Sequence, residues 1–148
     1  MRYITDTQWL AATTLLVSLN LPAVELITSK EAQLPAASGA LNTRGIARGP
    51  GIKIVSPDPT AAEIKSPFDL KIQFESRGGK KIDPSAVKLT YMKANAVDLT
   101  PRLSGAISEG GIDFSKAEVP PGEHAVKITV KDVDGRETNT IMSLIVTK

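Results

Sequence analysis

The chain has 148 residues, 41% of them hydrophobic, which suffices for one domain with a core of ordinary size. Its 18 lysines and arginines nearly cancel 16 aspartates and glutamates, and a net charge of +2 argues against a dedicated nucleic-acid or anionic-membrane binder. No cysteine is present, which removes disulfides, thiolate metal sites, thiol nucleophiles and lipid anchoring through a cysteine.

Residues 1–23 have the layout of a secretory signal peptide: Arg2 near the amino terminus, an apolar stretch from Trp9 to Leu19, then Asn20-Leu-Pro-Ala23. The apolar part is within the roughly 7 to 15 residues of such a leader and short of the roughly 20 that span a bilayer. Asp6 weakens the positive end, and the other reading of the same residues is an amphipathic or buried helix kept in the mature protein. Across residues 24–49 periodicity disappears and Ala, Ser, Thr, Pro and Gly surround isolated charges, so a flexible linker or tail is expected. Residues 24–33 could form a short helix with Glu25, Lys30 and Glu31 on its polar side.

The folded domain is expected over residues 50–148. Ile52-Lys-Ile-Val55 reads as a short strand closed by Ser56-Pro-Asp-Pro59. Phe68-Asp-Leu-Lys-Ile-Gln-Phe-Glu75 alternates cleanly, with Phe68, Leu70, Ile72 and Phe74 on one face and charged or amide residues on the other. Such alternation belongs to an antiparallel sheet with one wet side. After the loop Arg77-Gly-Gly-Lys-Lys81, Val87, Leu89 and Tyr91 share a face. A turn follows at 94–98, then a short edge strand over 99–103 broken by Pro101, a loop over 105–111 and a brief strand at 112–114. Val119-Pro-Pro-Gly122 ends what precedes it, and Val126, Ile128 and Val130 then form one arm of a hairpin. Asp134-Gly135 turns the chain into the second arm, with Met142, Leu144 and Val146 inward. About seven short strands separated by turn signals over roughly 100 residues is the pattern of an immunoglobulin-like antiparallel β-sandwich.

Four segments carry a resemblance to bacterial immunoglobulin-like domains, in the superfamily that includes cadherin-like and copper-resistance-like sandwiches. They are Ile52-x-Ile-Val-Ser-Pro57, Ile82-Asp-Pro-Ser-x-Val-Lys-Leu89, Val97-Asp-Leu-Thr100 and Pro120-Pro-Gly-Glu-His-x-Val-x-Ile-x-Val-x-Asp132. The resemblance implies the sandwich and says little about function, because that architecture hosts adhesion, ligand binding, spacing and chaperoning. The copper-resistance relatives bind copper through an amino-terminal histidine and loops bearing methionine or histidine. With one histidine and three methionines in this chain, one of them Met1, that ligand set does not carry over.

His124 is the single histidine and the obvious base for a serine nucleophile, with Asp113, Glu118 or Glu123 as the orienting acid. It shares the parity of Val126, Ile128 and Val130, so packing at the start of a strand is expected, and no serine sits in a Gly-x-Ser-x-Gly context. Asp132, Asp134 and Glu137 form the tightest carboxylate group and resemble half of a calcium loop, although the further acidic or amide positions are missing. The alternative is a hairpin turn in which Asp134 and Gly135 supply positive φ and Asp132 caps or faces solvent. Arg77, Lys80 and Lys81 around two glycines are candidates for anion binding, but the strand, Gly-Lys-Ser/Thr end and helix of a phosphate loop are absent. Sugar stacking is disfavoured, since Tyr91 is the only tyrosine beyond the leader and its alternation points inward.

The expectation is therefore a non-catalytic binding module, periplasmic or secreted, requiring no cofactor. It would engage an unknown protein or envelope ligand through loops at one sandwich end or through an exposed edge strand. It would neither bind nucleic acid nor span a membrane stably, and would be a monomer or an edge-paired dimer. The alternative expectation is a periplasmic metal-binding domain for copper or calcium.

Overall fold

The computed structural model describes residues 23–38 and 48–148. In chain order these comprise β1 (Val24–Glu25), α1 (Ser29–Ala32), β2 (Gly51–Ser56), β3 (Ile64–Lys65), β4 (Phe68–Glu75), β5 (Lys88–Tyr91), β6 (Val97–Asp98), β7 (Ile107–Ser108), β8 (Gly111–Glu118), β9 (Gly122–Lys131) and β10 (Glu137–Thr147). One sheet runs β1-β8-β4-β2 with β7 also on β8, and the other runs β3-β10-β9-β5-β6. Both are mixed: β1 on β8 and β3 on β10 are parallel pairs, and the other pairs are antiparallel. The protein is an all-β, sandwich-like fold.

Period-two alternation drives this arrangement. Leu70, Ile72 and Phe74 of β4 are buried while Asp69, Lys71, Gln73 and Glu75 are exposed. From the second sheet Leu89, Tyr91, Val126, Ile128, Val130, Met142, Leu144 and Val146 enter the same core. Each large apolar side chain so buried contributes about 1.5–3 kcal/mol, which offsets the ordering cost of the strands.

The segment expected as a flexible linker is structured over the part described here. β1 pairs with the end of β8 through Val24 opposite Ala117 and Glu25 opposite Glu118. The Leu26 N–H then donates to the Glu118 carbonyl at 2.9 Å, and Leu26 and Ile27 are 1% and 0% exposed. Two adjacent apolar residues followed by a single helical turn produce no periodicity, which is why the composition resembles a linker. A capping box starts the turn: the Glu31 N–H donates to Thr28 Oγ1, and the Thr28 N–H donates to the Glu31 carboxylate. The chain next reaches the turn after β5, where Ala94 N–H donates to the Pro35 carbonyl and Ala36 bridges to Lys93. Residues 24–36 thus form a strap joining β8 of one sheet to the end of β5 in the other. Residues 39–47 of the expected linker and residues 1–22 of the expected leader lie outside the described residues.

Two smaller expectations also change. Residues 99–103 do not form an edge strand; Thr100–Leu103 is a 3₁₀ turn, begun by the Thr100 N–H donating to Asp98 Oδ1 and favoured by Pro101 near its start. That turn buries Leu99 and Leu103 completely. The expected loop over 105–111 contains β7, and the brief strand at 112–114 extends to the eight residues of β8.

Candidate functional site

The hairpin between β9 and β10 and the loop between β4 and β5 meet at one end of the sandwich. Ile82 bridges to Asp132, the Val133 N–H donates to the Lys81 carbonyl at 2.9 Å, and the Asp83 N–H donates to the Lys131 carbonyl at 3.0 Å. The hairpin closes through the Asp132 N–H to the Arg136 carbonyl and the Gly135 N–H to the Asp132 carbonyl. Only Gly135 has positive φ, at +81°, so the turn is a three-residue loop ending in one left-handed residue. The expectation that Asp134 shares that conformation is corrected accordingly. Gly78 and Gly79, with φ of +66° and +70°, give the facing loop its two left-handed positions.

Asp132 organises the turn from a buried position. Its Oδ1 accepts from the N–H groups of Asp134 and Arg136 at 3.0 and 2.9 Å, and its Oδ2 accepts from Arg136 Nε at 2.7 Å. Burial disfavours the carboxylate, and the backbone N–H and guanidinium of Arg136 outweigh that effect, so the pKa is lowered. Arg136 also donates to the Arg77 carbonyl at 3.2 Å, and Lys80 pairs with Asp134 at 3.4 Å. Glu137 pairs with Lys131 at 3.2 Å and accepts from the Asn139 amide at 3.0 Å. The three carboxylates named as candidate metal ligands are therefore each engaged by a different cation. Among the described residues no group of three or more His, Asp or Glu is placed to hold a metal ion.

Arg77, Lys80 and Lys81 are brought to this same end, beside the hairpin tip, where Val133 is 61% exposed. The loop leads into the Ile82 bridge and a 3₁₀ turn at Pro84–Ala86, and no helix follows it as a phosphate loop requires. Next to it lies the outer face of the second sheet. The registers Lys88 opposite Thr129, Thr90 opposite Lys127, Thr129 opposite Asn139 and Lys131 opposite Glu137 gather lysines and threonines on that face. A depression of about 580 Å³ runs over it, lined by Lys88, Thr90, Met92, Lys127, Thr129 and Lys131 among others.

His124 is 3% exposed and sits at the opposite end of the sheet. Its Nε2 lies 2.7 Å from the Pro120 carbonyl and its Nδ1 lies 2.8 Å from the Tyr91 hydroxyl. Neither ring nitrogen contacts Asp113, Glu118 or Glu123, so the ring has no orienting carboxylate. Sequence reasoning missed the Glu31–Arg102 pair, at 2.6 and 2.8 Å, because its partners are 71 residues apart. The Thr28-x-x-Glu31 capping pattern was the one signal available for that region. No protein-family model matches the chain, and no curated protein matches it at a significant level.

Proposed function

We propose that the chain is a non-catalytic binding module of the bacterial envelope, built on an immunoglobulin-like sandwich, that meets its partner through the loops at the hairpin end. The observation that carries the reading is that the two loops are bonded to each other through the Val133 N–H and the Lys81 carbonyl while the side chains of Val133, Lys80 and Lys81 stay exposed. A tip already fixed before contact loses little conformational entropy on binding.

Several features support the family and compartment within this proposal. The orders β2-β4-β8-β7 and β10-β9-β5 match strands A-B-E-D and G-F-C of an immunoglobulin constant-type sandwich. His124 bonds back to Pro120 at the start of β9, the place where a tyrosine corner stands in such domains. Val24 follows the expected cleavage point and is the first residue of β1, so cleavage there keeps every strand of the described residues. Among the described residues no helix is long and apolar enough to cross a membrane.

A photocrosslinking residue at Val133, compared with one at Ser115 on the other sheet, tests the binding end in envelope preparations. Saturable adducts at Val133 alone are expected. Equal adducts at both positions, or none, contradict the reading.

Edge pairing is the second reading. Of the eleven residues of β10, β3 covers Val146 and Thr147 on the side away from β9 among the described residues, and Ile145 beside them is 47% exposed. A dimer that dissociates on Ile145→Lys supports it, and a monomer at all concentrations removes it.

A further inference from the structure

We infer that the free edge of β10 binds an extended, uncharged segment of another protein as an added strand, lying along residues 139–145. The inference deepens the edge-pairing reading by naming the occupant, and rests on that reading.

The hairpin register decides which backbone groups face outward. The Asp132 N–H donates to the Arg136 carbonyl, so this facing pair is hydrogen-bonded, and such pairs recur at every second position of an antiparallel ladder. In β10 the even-numbered residues therefore bond to β9, while Asn139, Ile141, Ser143 and Ile145 turn their N–H and carbonyl groups away from it. Among the described residues no backbone pairs with Asn139, Ile141 or Ser143 on that side. Both ends of this window are closed. Gly49 lies so near the Glu137 carbonyl that a Cβ would collide with it, and β3 pairs with Val146 and Thr147.

The other strand edges are blunted by the devices that keep sheets from pairing freely. β1, β3, β6 and β7 have two residues each, and β2 carries Lys53 and a bulge at Val55. The outer edge of β8 is covered by β7 and β1, with Lys116 at positive φ between them. β10 lacks all of these. It pairs with β9 through ten successive positions without a shift in register, and residues 138–147 contain neither a charge nor a proline.

A row of N–H and carbonyl groups repeating every second residue is the complement of another extended backbone. β3 is already such a segment, docked in parallel on this same edge, and a guest strand continues its line. The outward side chains beside the guest are Asn139, Ile141, Ser143 and Ile145, so uncharged β-branched side chains pack next to them and a charged one finds no opposite charge there. Seven residues of strand extend roughly 23 Å, which sets the length of the guest.

The test is titration of the full chain with a capped heptapeptide of alternating threonine and valine, read by amide shifts and hydrogen exchange, beside the same peptide with proline at its centre. Saturable binding of the first peptide is expected, with the Ile141 and Ser143 amides becoming protected and those of Met142 and Leu144, already bonded to β9, changing little. Ser143→Pro removes an outward N–H without breaking the β9 ladder, and should fold while losing about tenfold or more in peptide affinity. If that variant does not fold, the exchange pattern of the unmodified chain decides. Absence of binding, equal binding of the proline peptide, or protection spread evenly over odd and even residues overturns the inference. A dimer that dissociates on Ile145→Lys without any peptide binding overturns the foreign strand and leaves edge pairing in place; the absence of both removes edge pairing as well.

Discussion

The Tyr91 hydroxyl donates to His124 Nδ1 at 2.8 Å, and that direction follows from the other side of the ring. A carbonyl can only accept, so the Pro120 oxygen at 2.7 Å fixes the proton on Nε2 and leaves Nδ1 with its lone pair. The imidazole therefore joins the β8–β9 corner to β5 as a neutral bridge. Burial is the chief reason its pKa is lowered from the ordinary 6.5; the Pro120 carbonyl pulls the other way and Lys93 adds to the lowering.

Tyr91→Phe leaves Nδ1 as a buried acceptor without a donor and should cost about 1–3 kcal/mol in urea unfolding at neutral pH. A loss near zero would mean that water or another donor replaces the hydroxyl.

The folded-state pKa of His124 lies below its unfolded value, so the unfolded chain takes up the proton first as pH falls. Stability should therefore decline as pH drops below 6.5. His124→Phe should flatten the stability profile between pH 6.5 and the carboxylate range. An unchanged slope in that variant contradicts the neutral bridge.

Glu31 and Arg102 fasten the amino-terminal strap, and the Arg102 guanidinium is the leading cause that holds the Glu31 pKa down at about 2 against an ordinary 4.5. The folded value is the lower one, so the contribution is complete above 4.5 and disappears as pH falls toward 2. It amounts to at most about 3 kcal/mol. Glu31→Gln should lower the urea midpoint at pH 7 and not at pH 2. Leu26→Ala, deeper under the strap, should cost about 2–5 kcal/mol at both.

Gly111 starts β8 with φ of +148°, and a Cβ there would collide with the Ile72 carbonyl oxygen of β4. Gly111→Ala should destabilise by about 3 kcal/mol or more, because backbone on both strands must move. Gly79→Ala, with positive φ and open space around it, should cost about 1 kcal/mol.

Calcium should leave the amides of residues 132–137 unshifted, since Asp132, Asp134 and Glu137 already hold Arg136, Lys80 and Lys131. Saturable shifts there would revive the metal-binding alternative.

Much of the sandwich was legible because alternation alone sorts residues in β4, β9 and β10. Phe68 to Glu75 has the bounds read from its sequence, and the inward set of the last hairpin is the one its parity dictates. The strap was not legible, since Leu26 and Ile27 are buried by long-range pairing with β8 and leave no local period. Arg77, Lys80 and Lys81 could be picked out as a charged loop, but their meeting with Asp134 and Arg136 depends on the Ile82–Asp132 bridge across 50 residues. The meeting of Lys88 with Thr129 and of Thr90 with Lys127 needed the β5–β9 register, which no single strand encodes.

The most direct test of an exported envelope module is intact mass and amino-terminal sequencing of the native protein from cell fractions. A chain starting near Val24 in the periplasm or medium is expected. A chain starting at Met1 in the cytosol would contradict export, and with it an envelope partner.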